Sequence, residues 1–242
     1  MKVDVKELKE FYSESLGQTV SEILSIKVNE IWPNTRHQRI LGIGFANPII
    51  EVLRHNSERV ISAMLPSQGV VHWPENGPQL VSLADYSCLP FKDSFFDKVI
   101  LFHALESCEN YRDFLREVWR VTCDNGRLIV IVTNRSSFWS ISENTPFAYG
   151  RPFSMHQINS LLIDSMFTPL KTSSALVFPP SRHPFFLTFS NTIENFGQYF
   201  FSRFAGLNIV EANKTIYAQT SQVTKISNLR DYVLSPKTGM RA

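Results

Sequence analysis

Lys98-Val99-Ile100-Leu101-Phe102-His103-Ala104-Leu105-Glu106 leads into Tyr111-Arg112-Asp113-Phe114-Leu115-Arg116-Glu117-Val118-Trp119-Arg120-Val121. Past Asn125-Gly126 follows Arg127-Leu128-Ile129-Val130-Ile131-Val132-Thr133. The two outer runs are short, apolar and rich in β-branched residues, whereas the middle run is amphipathic at helical spacing. Two apolar strands joined through a helix make the crossover that parallel strands require. Strands apolar throughout are covered on both faces. The stretch decides for an α/β fold.

Working outward, the same alternation recurs. Val5 to Trp32 holds helical spacing, interrupted at Gly17 and ended by Pro33. Arg39–Ile43, Val60–Met64 and Gln79–Ala84 read as short strands, with a helix from Pro48 to about Asn56. Downstream, Ser154 to Met166 reads as a helix with Ser154 as N-cap and Gln157 three residues on, a capping-box pattern. Asn208 to Thr220 reads as the last strand. The expectation is one Rossmann-like domain over residues 1–220, mostly parallel with its last strand antiparallel and helices on both faces. Residues 1–35 form its N-terminal helices and residues 170–207 a phenylalanine-rich cap insertion. The polar tail 221–242 is expected to be disordered.

Composition narrows the function. Among 242 residues, 24 basic and 22 acidic side chains leave a net charge of +2, and the Lys and Arg are scattered, so no nucleic-acid partner is expected. No apolar run reaches the ~18–20 residues that span a bilayer, and the Met1-Lys2-Val3-Asp4 start carries no apolar leader. Cys88, Cys108 and Cys123 have no metal-site spacing, so no metal is expected and a cytoplasmic location fits.

The segment Ile40-Leu41-Gly42-Ile43-Gly44-Phe45-Ala46-Asn47-Pro48 sits where a first strand turns into a first helix, a turn that aims backbone N–H groups at a ligand. Asn47 is a candidate N-cap and Pro48 a natural first helical residue. As a dinucleotide fingerprint it fails, since Asn47 holds the third glycine's place. Farther on come Asp85-Tyr86-Ser87-Cys88-Leu89-Pro90-Phe91, Phe95-Phe96-Asp97, Glu117-Val118-Trp119-Arg120-Val121 and Asn125-Gly126. In that order they resemble the class I S-adenosylmethionine (SAM) methyltransferases, of the methyltransferase type 11-like kind. The family's loop reads acid-x-Gly-x-Gly-x-Gly. Here Gly42 replaces the acid, Gly44 matches, and Ala46 and Pro48 replace the later glycines. Ala63-Met64-Leu65-Pro66 lacks the acid that the family uses on the ribose. Gly-x-Gly-Phe-Ala-x-Pro followed by Met-x-Pro-x-Gln-Gly is similar to an alphaproteobacterial methyltransferase-like subgroup.

The resemblance implies SAM as cofactor, held by Tyr12, Gly42, Gly44, Phe45, Ala46, Met64, Asp85, Tyr86, Phe102 and His103. Asp85 would accept from the adenine amino group, with Gln68 or nearby amides supplying polar contacts after β-strand two. His103, at the end of the fourth strand, would be either a catalytic base or a wall of the pocket; alignment alone serves an SN2 transfer, so a base is optional. Trp139, Tyr149 and Arg151 would meet the acceptor. The implied activity is methyl transfer to a small, apolar or aromatic acceptor. The alternative is a non-catalytic relative of the fold that binds a partner or an adenosyl ligand. The phenylalanine-rich segment reads as a buried cap, an apolar pocket lining, or a membrane-surface contact flanked by Arg182 and Arg203. Homo-oligomerisation stays open.

Overall fold

The apolar runs become strands, and the computed structural model describes residues 3–181, 183, 194 and 202–215. The strands are β1 (Arg39–Gly44), β2 (Arg59–Met64), β3 (Val81–Leu83), β4 (Phe96–Phe102), β5 (Thr122–Thr133), β6 (Phe167–Ala175) and β7 (Leu207–Lys214). They form one sheet in the order β3-β2-β1-β4-β5-β7-β6. Strands β1 to β5 pair in parallel, while β7 runs antiparallel between β5 and β6. The chain winds one way through β1, β2 and β3 and the other way through β4 and β5. The reversal lies between β1 and β4, where folds of this kind bind ligands beyond the carboxyl ends of the strands.

Alternation along each strand feeds two cores. Ile100 and Phe102 of β4 face Leu8, Val20, Leu24, Ile49 and Ile50, contributed by α1 (Val5–Ser13), α2 (Ser15–Ile31) and α3 (Asn47–Ile50). Val99 and Leu101 face the other way, onto Phe114, Leu115 and Val118 of α4 (Tyr111–Val121) and Ile158 and Leu162 of α5 (Met155–Asp164). The capping box on α5 is present in both directions: Gln157 N donates to Ser154 Oγ at 3.2 Å and Ser154 N to Gln157 Oε1 at 3.0 Å.

Helix α4 also explains the Glu117–Arg120 pair. The Arg120 guanidinium bridges Glu117 (2.8 and 2.9 Å), the carbonyls of Leu89 (2.9 Å) and Phe91 (2.8 Å), and Asp93 (2.6 Å). Glu117 in turn accepts from Leu89 N at 2.9 Å. The motif is a clamp that pins the loop after β3 onto α4, and the pairing holds the Glu117 carboxyl below its ordinary range.

The boundaries differ from the sequence reading in several places, among them β5, which already begins at Thr122, and the last strand, which ends at Lys214 where Thr220 was expected. The N-terminal helix breaks at Glu14 and not at Gly17, which lies inside α2 where a β-carbon would strike the Phe11 carbonyl. Asn47 is not a cap: Ala46 holds that place, and Asn47 Oδ1 accepts from Ser62 Oγ at 2.5 Å, tying α3 to β2. Of the helix expected over 48–56 only Pro48, Ile49 and Ile50 are α-helical, a 3₁₀ turn following at Glu51–Leu53. Strand β6 occupies 167–175, overlapping the first residues assigned to the insertion. Its Lys171-Thr172-Ser173-Ser174 stretch is polar because it is an edge, paired on one side only. Of the phenylalanines in the expected cap, Phe178 is buried and Phe204 exposed. Phe185, Phe186, Phe189, Phe196, Phe200 and Phe201 lie outside the described residues, as does the tail 221–242.

Candidate functional site at the carboxyl ends of β1 and β4

The β1 turn is built on backbone contact. Gly44 takes φ +86°, and Phe45 N donates to the Phe102 carbonyl at 2.9 Å. A β-carbon on Gly44 would strike that carbonyl and come within 2.9 Å of Ala104 Cβ, so the chain itself demands this glycine. Behind it, Gly42 and Ala46 pack together: a β-carbon on Gly42 would stand 2.8 Å from Ala46 Cβ. Phe45 and Tyr12 stack at 5.6 Å between ring centroids.

His103 follows β4 with φ +51°, a left-handed backbone that non-glycine residues rarely hold without a reason. Its Nε2 lies 2.7 Å from Tyr12 Oη, and its ring packs on Phe102 and Phe147 at 4.2 and 5.0 Å. Burial pushes the His103 pKa down to about 3 and raises the Tyr12 phenol, with the Glu106 carboxyl adding to the latter. Both are neutral near pH 7 and share one hydrogen bond, whose direction is set by the imidazole tautomer. A buried ring whose Nε2 is already engaged and whose basicity is this low makes a better wall than a base.

Three further contacts close the space above. Gln68 is buried, its Nε2 donates to the His103 carbonyl at 2.5 Å, and its own backbone carbonyl accepts from Val5 N at 2.8 Å. Met64 is buried and its Sδ accepts from Val71 N at 3.4 Å. Helix α1 and the segment after β2 thus lie across the carboxyl ends of β1 and β4 as one layer. Asp85 stands exposed, its Oδ1 accepting from both N and Oγ of Ser87 at 2.8 Å, bonds that lower its pKa. Tyr86 packs edge-on against Phe114 of α4.

On the β5 side lies a residue that sequence reasoning passed over. Glu106 is 7% exposed, its Oε1 accepts from Thr133 N at 3.0 Å, and its Oε2 has no partner among the described residues. Burial pushes its pKa up to about 7. The segment 145–153 folds over it: Arg151 N donates to the Glu106 carbonyl at 3.0 Å, and Gly150, at φ +81°, lies flat on the Glu106 backbone. Trp139 is buried, its Nε1 donating to the Phe178 carbonyl at 2.8 Å and its ring 5.4 Å from Phe147. Tyr149 is half-buried with its hydroxyl toward the Glu143 carbonyl at 3.5 Å, and Arg151 is exposed.

The structure therefore gathers Tyr12, Phe45, Phe102 and His103 with Phe147 and Gln68, over a base of Gly42, Gly44 and Ala46. It sets Asp85, Tyr86, Tyr149 and Arg151 in other surroundings. Glu106 had one readable signal, an acid four residues past the apolar core of β4. Phe147 had none beyond its place in an aromatic stretch. A cavity of about 570 Å³ adjoins the group, with Tyr12 and Phe45 in its wall. Among the described residues no cluster of His, Cys, Asp or Glu could hold a metal, and no helix is long and apolar enough to cross a membrane.

Sheet order and site position define the class I methyltransferase fold, and residues 34–130 match the family model of the methyltransferase domain. A SAM-dependent methyltransferase from Thermotoga maritima superposes with a TM-score of 0.59 at 18% identity, over 87% of this chain and 96% of that one. The 1,6-didemethyltoxoflavin-N1-methyltransferase of Burkholderia thailandensis, solved with S-adenosylhomocysteine, gives 0.53 at 15% identity, over 79% and 76%. The [4+2]-cyclase SpnF gives 0.52 at 17% identity, over 80% of each chain. No curated protein matches the chain.

SAM is the cofactor of the domain class that residues 34–130 match. The crevice as it stands does not fit it. Gln68 and Tyr12 fill the space beside His103, Met64 is buried where the family places an acid, and the Asp85 carboxylate is turned to its own loop.

Proposed function

We propose that this chain is a SAM-dependent methyltransferase acting on a small apolar or aromatic acceptor. The observation that carries this reading is the aromatic cluster at the carboxyl ends of β4 and β5. There Phe11, Tyr12, Phe102, His103, Phe147 and Trp139 pack ring to ring beneath the segment 145–153. Buried to 9% exposure or less, the rings make a solid, water-free apolar wall, suited to a flat, apolar acceptor lying beside it. Beside it Glu106 is the group suited to take a proton from a hydroxyl or amine of the acceptor, since its carboxyl is poised near pH 7 and its Oε2 makes no hydrogen bond among the described residues. His103 then serves as wall, and Tyr12 as the group that holds it. Trp139, Tyr149 and Arg151 belong to the acceptor side, and Gly42, Gly44, Phe45, Ala46, Met64, Asp85, Tyr86 and Phe102 to the cofactor side, an assignment that requires Gln68 and Tyr12 to withdraw from the space beside His103. The loop signature supports membership of the alphaproteobacterial subgroup, and Cys88, Cys108 and Cys123, none of them in a disulfide, suit a reducing cytoplasm.

A second reading is favoured by the Gln68–His103 contact: a relative of the fold that binds an adenosyl ligand or a partner without transferring a methyl group. The likeness to a cyclase supports keeping it, because one fold hosts unrelated chemistries. Calorimetric titration with SAM and S-adenosylhomocysteine separates the readings. Saturable one-to-one binding with micromolar Kd, lost in Asp85→Ala, supports the enzyme. Absence of binding up to millimolar ligand sinks it.

A further inference from the structure

We propose that the polar cavity of about 480 Å³ between the start of α5 and the end of β6 binds a polyol phosphate, a small phosphate ester that keeps free hydroxyls. The cavity shares no residue with the aromatic cluster, and its volume is in the range of small-ligand sites. Its floor departs from the pattern that builds the rest of the sheet. Val132 of β5, Asn208 of β7 and Ser174 of β6 stand in register across the last three strands. Further along the same face, Leu128, Val130, Val210 and Ala212 are core. At the cavity the face turns polar, with Asn208, Ser174 and Thr172 in the lining. Asn208 is 4% exposed; its Nδ2 donates to the Phe153 carbonyl at 3.0 Å, and its Oδ1 accepts nothing among the described residues. A buried amide oxygen without a donor suits a ligand that brings one, such as a hydroxyl.

The facing wall suits an anion. The capping box uses Ser154 N and Gln157 N, whereas Met155 N and His156 N, at the first two positions of α5, donate to nothing among the described residues. Both residues line the cavity, and N–H groups at the start of a ten-residue helix favour negative charge. Arg203 stands at the same cavity, exposed and in no ion pair among the described residues. Its planar fork matches phosphate geometry. No Asp or Glu lines the cavity to repel the anion. The hydroxyls of Ser136 and Ser154 add further donors. A phosphate with hydroxyls on the adjoining carbons satisfies both walls at once.

Calorimetric titration of the full chain with glycerol 3-phosphate and with inorganic phosphate tests the site in wild type, Arg203→Met, Ser174→Asp and Arg36→Met. Arg203 is exposed, so its loss leaves folding intact, and Arg36, exposed before β1, controls for net charge. Expected is one-to-one binding of glycerol 3-phosphate about tenfold tighter than inorganic phosphate. Its Kd should rise about tenfold in Arg203→Met and in Ser174→Asp, with Arg36→Met within about twofold of wild type. Equal Kd values for the two ligands would mean that an anion alone is held and would overturn the polyol assignment. A loss in Arg36→Met as large as in Arg203→Met would mark nonspecific attraction and overturn the site, as would no binding of either ligand up to millimolar concentration. Flotation with phosphatidylglycerol vesicles identifies the source of the ester. Capture that Arg203→Met abolishes supports an ester carried on a lipid, and solution binding without capture supports a free one. Capture indifferent to Arg203, with no solution binding, overturns the proposal.

Discussion

Glu106 and His103 are three residues apart, both buried, and burial moves their pKa values in opposite directions, to about 7 and about 3. The linkage signs follow. Glu106 keeps its proton in the folded chain above pH 4.5, where the unfolded chain has released it, so its contribution to stability falls as pH rises from 4.5 towards 7. His103 stays neutral when folded below pH 6.5, where the unfolded chain is protonated, so its contribution rises with pH from about 3 to 6.5. Between pH 4.5 and 6.5 the two slopes, each about 1.4 kcal/mol per pH unit, oppose one another. Wild type should show a flat stability profile across that window, and Glu106→Gln, which keeps the Thr133 contact, a rising one, measured by denaturant unfolding. A second prediction concerns Gly44. Ala there must hold φ +86° against the Phe102 carbonyl and should cost about 2 kcal/mol or more, roughly 4–8 °C in Tm by calorimetry. The glycine was readable as a turn residue. Its partner, the carbonyl at the end of β4, was not, because that contact joins segments far apart in sequence.

Among the elements, α4 came out residue for residue as Tyr111–Val121 because its signals are local: apolar spacing within eleven residues and Asn110 accepting from Asp113 N at its start. Strand β6 was misread for a physical reason, since an edge strand with one solvated side has little apolar alternation to show. Gln68 was legible only as a polar side chain near the site. Its bond to His103 spans 35 positions and closes the crevice that the motif order led one to expect open. The Arg120 clamp gives a test at this scale. Arg120→Ala should release the loop 85–93 from α4 and cost about 2–4 kcal/mol, and Lys should not rescue it, since one ammonium cannot replace a planar fork. Hydrogen exchange at Leu89 and Phe91 would locate the loss. In the same way Trp139→Phe, which orphans the buried Phe178 carbonyl, should cost about 1–3 kcal/mol by chemical denaturation.

At the scale of the whole molecule, the sheet is completed by a strand that arrives last. Strand β7 enters between β5 and β6, so a chain ending at Ala175 would leave the long apolar strand β5 with an open edge. Such a truncation should lose cooperative unfolding and pellet on refolding, as followed by circular dichroism and sedimentation. The fold class was legible because the parallel half of the sheet is written in consecutive apolar runs. The closing strand was placed within a few residues, but its position between two earlier strands is a long-range fact that no local pattern encodes. Strand β7 ends on Lys214, 2% exposed in its side chain, whose ammonium donates to the Thr122 carbonyl at 2.6 Å and lies 3.9 Å above the Trp119 ring. A cation on an indole face alters and quenches its emission. Docking of β7 should therefore dim one tryptophan, giving the chain an intrinsic optical signal for the insertion of that strand between β5 and β6, and Lys214→Met should abolish it.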